Sequence, residues 1–202
     1  MLAEVIRSQS DQPVFGLAFH VDYWNDLGWH DRFSDKRFSQ RQYKYLRAWN
    51  QRRFYTPQMI VNGRHGFVGS KSRIAKQSIA RALQTPTTAV VRVETETRAT
   101  NELVVVTYKV VAAEQQLDLN LALVESGVQS PVANGENAGR TLEHSGVVRS
   151  FQVVSLEGGG SGQVQIEVPK DANLQHCRVI AYAQHSQSLE IVGAAQSEYL
   201  RN

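Results

Sequence analysis

The pattern of apolar and polar positions changes near residue 86: helical and extended patterns alternate before it, and short extended runs separated by Gly, Asn and Ser clusters follow it. Val14 to Val21 (VFGLAFHV) is almost wholly apolar, which predicts a strand covered on both faces in a parallel sheet. After the loop DYWNDLGWHD, Ser34 is a candidate N-cap for a helix reaching about Gln51. Phe38, Gln42, Tyr45, Leu46 and Trp49 form its inner face, while Lys36, Arg37, Arg41, Lys44 and Arg47 point elsewhere. Thr56-Pro57 then leads into QMIV, and Asn62-Gly63 predicts a tight hairpin with RHGFV returning antiparallel. Ser70 is a candidate cap for a last helix through Leu83, with Ile74, Ala75, Ile79, Ala82 and Leu83 on the buried side. With the amphipathic opening MLAEVIRSQ, the predicted order is helix, strand, helix, hairpin, helix.

Beyond this, extended runs fall near Ala89 to Thr97, Leu103 to Ala112, Leu117 to Glu125, Gly146 to Leu156, Gln163 to Val168, Arg178 to His185 and Glu190 to Ala195. Short strands at this spacing predict a β-sandwich, with Gly158 to Gly162 read as a flexible turn. Pro86 ends the preceding helix and disfavours helix at Thr85, so Gln84-Thr85-Pro86-Thr87 is the predicted junction. The expected architecture is an α/β part over residues 1–86 followed by an all-β part over 87–202.

Composition changes this picture in two respects. Residues 1–87 carry 14 Lys or Arg against 6 Asp or Glu, whereas residues 88–202 carry 8 against 13. Such a split suits either nucleic-acid binding by the basic part or attraction between the two parts. Cys177 is the only cysteine in 202 residues, which excludes an intramolecular dithiol/disulfide cycle within this sequence. The flanking residues CRVIAYA suggest a thiol buried in a strand. No apolar run approaches the roughly 18 residues of a membrane span, and the first residues lack a secretory signal pattern.

Several groups could carry chemistry. His20, Asp22, His30 and Asp31 are suitable metal ligands by type, but their spacing matches no compact site, so hydrogen-bonded structural roles are favoured and no metal is expected. Tyr23, Trp24 and Trp29 concentrate aromatic surface in one loop, best read as packing, with partner contact open to Trp24. The basic segment from Lys36 to Arg53 interleaves Tyr43, Tyr45 and Trp49 with cations as single-strand binders do. Two of these rings fall on the apolar stripe, which favours a solvated basic face over nucleic acid. No Gly-rich phosphate loop follows a strand, and no Ser, His and Asp set has recognisable spacing, so no cofactor is implied.

The stretches AFHVDYWNDLGWHDRFSDKRFSQRQ, YTPQMIVNGRHGFVGS and GENAGRTLEHSGVVR together resemble a bacterial family, domain of unknown function 1223, over most of the chain from about Leu2. The resemblance implies a thioredoxin-like domain followed by a β domain in an exported protein, periplasmic or secreted. A start at Met1 without a leader would instead place it in the cytoplasm. It further implies a strand and a Cys-x-x-Cys motif preceding the helix that here begins at Met1. No residue of this sequence matches either cysteine. The expectation is therefore a truncated thioredoxin-like domain with a gap in mid-sheet, between Val14 to Val21 and Gln58 to Val61, open to a partner or a rearrangement. Thr56-Pro57 resembles the cis-proline loop of such folds, which makes Tyr55, Thr56 and Pro57 candidate partner-binding residues, together with Trp24 of the aromatic loop. Two functions follow as expectations. One is the remnant of a thiol-disulfide oxidoreductase, inactive in dithiol exchange as it stands. The other is a non-catalytic module that binds an extended peptide or protein partner.

Overall fold

Alternation with a period of two decides most of the structure, because it sorts each strand's side chains onto opposite faces. The computed structural model describes residues 2–9, 11–27, 30–98, 102–113, 116–131, 139 and 141–201. Among the described residues three α-helices come first, α1 (Leu2–Ser8), α2 (Lys36–Ala48) and α3 (Ser72–Leu83), with a hairpin of β1 (Gln58–Val61) and β2 (His65–Val68) between the last two. Nine strands follow: β3 (Ala89–Thr97), β4 (Leu103–Ala112), β5 (Leu117–Glu125), β6 (Val128–Pro131), β7 (Thr141–His144), β8 (Val147–Leu156), β9 (Gly160–Glu167), β10 (Cys177–His185) and β11 (Ile191–Gln196). All seven predicted extended runs of the second part are strands, and β6 and β7 add a short hairpin.

Antiparallel sheets dominate. One has the order β3-β4-β9 and another the order β11-β10-β5-β8. Val104, Val106 and Ile166 from the first meet Leu119, Leu121, Leu123, Val179 and Ala181 from the second in the main core. The alternate residues of β5 and β10, Ala122, Val124, Ile180 and Tyr182, point the other way and form a second core with Phe38 of α2. The four-stranded sheet is thus a middle layer with both faces covered, which explains why β5 and β10 are near-continuous apolar runs.

The first part departs from expectation in the stretch 14–21. No strand forms there, and its ladder contact is a single parallel bridge between Ala18 and Val147. Phe15, Leu17 and Phe19, at period-two spacing, lie over the outer face of the middle sheet instead of entering it. The residues are apolar because they pack on a sheet face, a demand that the sequence pattern does not separate from strand burial. Hairpin β1–β2 keeps its predicted partner, with Met59 opposite Phe67, but neither strand extends a larger sheet.

Local signals were mostly met, with corrections at the caps. Asp35, not Ser34, caps α2, its carboxylate accepting the Arg37 N–H at 2.7 Å. Ser34 Oγ instead donates to the Asp31 carbonyl and accepts from Asn25 Nδ2. The position before α3 is Lys71, without a side-chain cap, and Ser70 does not serve as one. Leu83, expected inside, is exposed. The glycine run is not a free turn: Gly160 and Gly162 pair with Val110 and Tyr108, and the Tyr108 ring occupies the space that a Cβ at 162 would need. Asn62 and Gly63 both have positive φ, as a tight hairpin requires. Gly63 also lies so close to the Leu189 carbonyl that any side chain there would force the hairpin away from the residues preceding β11.

Exposed ion pairs span the two parts at their edges, Arg64 with Glu190 at 2.7 Å and Arg32 with Asp171 at 3.6 Å. Between them, Arg41 overturns the expectation of a solvent-facing cation. Its guanidinium lies near the Phe19, Tyr45, Phe151 and Tyr182 rings and donates to Asn120 Oδ1, Tyr45 Oη and Gln184 Oε1 at 3.1–3.3 Å. Gln184, almost fully buried, donates in turn to Tyr45 Oη and the Leu189 carbonyl.

Candidate partner-binding surface

Gln42 ties together the residues singled out as a binding surface. Buried on α2, it accepts from the Tyr23 hydroxyl at 3.0 Å and donates through Nε2 to the Tyr55 carbonyl and Gln58 Oε1, each at 3.1 Å. Asp22, one residue earlier, receives the Ser39 hydroxyl and donates its N–H back to Ser39 Oγ. The loop after 14–21 is therefore pinned to α2 at two successive residues, which positions Trp24 next to the segment Tyr55-Thr56-Pro57. Trp24 Nε1 donates to Thr56 Oγ1 at 3.0 Å, the Thr56–Pro57 peptide is cis, and the Pro57 carbonyl accepts the Gly69 N–H at 2.7 Å.

All four candidate residues are thus brought together. Trp24 is 51% exposed, and Thr56 and Pro57 are exposed beside it. The aromatic strip continues through Tyr23 to Phe54 and Tyr43, with successive ring centroids 5.2–5.4 Å apart. Burial raises the Tyr23 phenol above its ordinary range, against a lowering hydrogen bond to Gln42, so it remains a neutral donor at physiological pH. Trp29 lies outside the described residues. Gln42 was legible only as a member of the buried face; its amide is the device that aligns the surface.

The metal-type residues have a different role. His20 Nδ1 lies 2.5 Å from Asp31 Oδ2, Asp22 is engaged by Ser39, and His30 is exposed. Among the described residues no group of three His, Cys, Asp or Glu is arranged to hold a metal. His20 instead faces His144 of β7, ring centroids 5.1 Å apart, with Phe33 edge-on to both. Burial pushes the Asp31 carboxyl up, but hydrogen bonds from His20 and the Phe33 N–H outweigh it and hold the group below the usual carboxylate range. Burial, and then His20, depress His144, whose Nε2 is enclosed without a hydrogen-bond partner. Separation in sequence left His144 without any signal.

A β-bulge explains a further buried charge. Register shifts so that Leu123 faces Ser150 while Val124 faces Val148, leaving Arg149 as the extra residue. Its side chain, 6% exposed, donates to the equally buried Glu125 and to Asp171, over the Phe33 ring. Glu125 also receives the Asn173 N–H at 2.8 Å. Nearby Cys177 is fully buried, and burial, reinforced by Glu125, pushes its thiol up to about 12. A thiol so placed supplies no thiolate at neutral pH.

No curated protein matches it by sequence. Among solved structures it is similar to protein AGR_C_4864 from Agrobacterium tumefaciens, at 25% identity and a TM-score of 0.70, covering 100% of this chain and 86% of that one. A domain of the outer membrane lipoprotein Omp28 from Porphyromonas gingivalis is matched at 12% identity, over 54% of this chain and 93% of that one, with a TM-score of 0.36. The model of a family described as protein of unknown function (DUF1223) matches residues 2–184, and the chain belongs to that family.

Proposed function

We propose that this chain is a non-catalytic binding module that holds an extended segment of a protein partner against Trp24, Tyr55, Thr56 and Pro57. The observation that carries the reading is the exposed Trp24 ring, anchored through its indole N–H to Thr56. A rigid aromatic with a fixed orientation contributes contact area at little entropic cost, as anchor residues in interfaces do. The buried Gln42 network supports it by holding the Tyr55 backbone and Tyr23 in place before any partner arrives. In this reading residues 1–86 are the thioredoxin-like part, 87–202 the β-sandwich part, and the protein acts in the periplasm or outside the cell. The related reading, a thiol-disulfide oxidoreductase, assigns the same surface to substrate holding; the buried Cys177 thiol gives that reading no nucleophile among the described residues.

Selection of unstructured peptides displayed on phage, against the wild-type chain and a Trp24→Ala, Thr56→Val variant, tests the reading. Enrichment on the wild type that is lost on the variant, with the circular dichroism spectrum unchanged, is expected. Equal enrichment on both proteins, or none on either, removes the assignment.

A further inference from the structure

Building on that reading, we infer that the segment bound at this surface is acidic and carries aromatic or apolar side chains. The apolar half of the argument is the strip itself. Trp24, Phe54 and Tyr43 are 51%, 45% and 43% exposed and are linked through Tyr23 into one continuous aromatic row. Scattered exposed apolar residues are ordinary on a protein surface, whereas a contiguous aromatic row is characteristic of a contact site.

The charged half is its border. Arg52 and Arg53 immediately precede Phe54, and Lys44 and Arg47 lie one residue and one helical turn beyond Tyr43. All four are exposed, and none forms an ion pair among the described residues. The rest of the basic part shows that such pairing is available in this fold, since Arg32, Arg37 and Arg64 each have a carboxylate partner. Residues 36–93 contain 13 Lys or Arg and no Asp or Glu, so nothing on α2 or the hairpin offsets the field at the strip. On the loop opposite, Asp22 is engaged by Ser39, which leaves Asp26 as the exposed carboxylate beside Trp24. A row of rings bordered by unpaired cations attracts a ligand that combines carboxylates with apolar groups and repels a basic one. Protein is favoured over single-stranded nucleic acid because Tyr23 and Trp24 direct their polar atoms to Gln42 and Thr56 and stand edge-on or tilted to their neighbours, instead of presenting parallel open faces for base stacking.

Fluorescence anisotropy with labelled probes of equal length separates the possibilities: alternating Asp-Tyr, Ser-Tyr and Lys-Tyr peptides, and an oligothymidylate. The Asp-Tyr peptide is expected to bind about tenfold or more tightly than the Ser-Tyr peptide at low salt, with the advantage screened out as salt rises. Arg52→Glu with Arg53→Glu should abolish the advantage, and Trp24→Ala should weaken Asp-Tyr and Ser-Tyr alike. Equal affinity for Asp-Tyr and Ser-Tyr, or an advantage that survives the double reversal, overturns the acidic assignment while leaving the binding module intact. Tighter binding of the oligothymidylate than of any peptide overturns it in favour of nucleic acid. Failure of all three peptides to bind overturns the binding module itself.

Discussion

Replacing Arg41 by Met tests whether α2 is held to the β-sheet by one half-buried cation. The substitution keeps most of the stem's packing but removes three charge-assisted donor contacts at 3.1–3.3 Å and the cation above four aromatic rings. Asn120 Oδ1 then loses its donor in a site where Asn120 is 1% exposed, whereas Gln184 Oε1 retains a long contact to Asn120 Nδ2 at 3.4 Å. A hydrogen bond to a charged group is worth about 1.5–3 kcal/mol, and a buried acceptor left unpaired costs about 1–3 kcal/mol. These contributions share partners and do not add, and desolvation of the guanidinium offsets part of them, so a net loss of about 2–3 kcal/mol is expected. For a chain of this length that lowers the melting temperature by roughly 5–10 °C. Thermal unfolding followed by circular dichroism measures it, and amide hydrogen exchange should show α2 losing protection while β4 and β9 keep theirs. Arg41→Lys should recover little, because an ammonium reaches fewer of the three acceptors at once. A loss below about 0.5 kcal/mol, or a lysine variant as stable as wild type, refutes the assignment of Arg41 as the linking residue.

Arg149→Met should cost about 3–5 kcal/mol in denaturant unfolding, because it leaves the Glu125 carboxylate buried with the Asn173 N–H; a cost under about 1 kcal/mol would show that Glu125 reaches water or another partner. His144 is harder to protonate folded than unfolded, so its contribution to stability is complete above the ordinary imidazole value of about 6.5 and is lost as pH falls from there through its depressed value. Asp31, depressed as a carboxylate, keeps its contribution throughout that window and loses it only in more acid solution, as pH falls through its lowered value. His144→Asn should therefore flatten the stability profile below about pH 6.5, and an unchanged slope would remove His144 as the cause. Cys177 should resist a disulfide reagent at neutral pH in the native protein and react on unfolding; rapid native reaction would contradict its burial.

Much of the fold was legible because its signals are local. Strand alternation, the Asn62-Gly63 turn and the amphipathic face of α2 depend on backbone geometry within a few residues. The caps were less legible because Ser34 and Asp35 are both competent, and the choice was made by Asp31, whose carbonyl takes the Ser34 hydroxyl. At the candidate surface, Tyr55, Thr56 and Pro57 are adjacent in the sequence, but the placement of Trp24 against Thr56 and the alignment of Tyr23 and Tyr55 by the Gln42 amide were not legible, since a buried glutamine on an apolar face carries no signal of what it touches.

By itself the sequence determined which segments alternate, where the chain changes character near Pro86, that one thiol is available, and that the basic and acidic charges are segregated. What those segments cover is set by packing between distant parts of the chain. Residues 14–21 read as a strand because strand burial and packing on a sheet face demand the same apolar residues, and the distinction lies in the extent of backbone pairing, which here is a single bridge at Ala18. Nothing near Arg41 in the sequence signals its contacts, because its acceptors, Asn120 and Gln184, lie 79 and 143 residues away along the chain. His20 and His144 meet for the same reason. Long-range contacts between polar side chains obey no sequence period, so they emerge only when packing brings the two parts of the chain together.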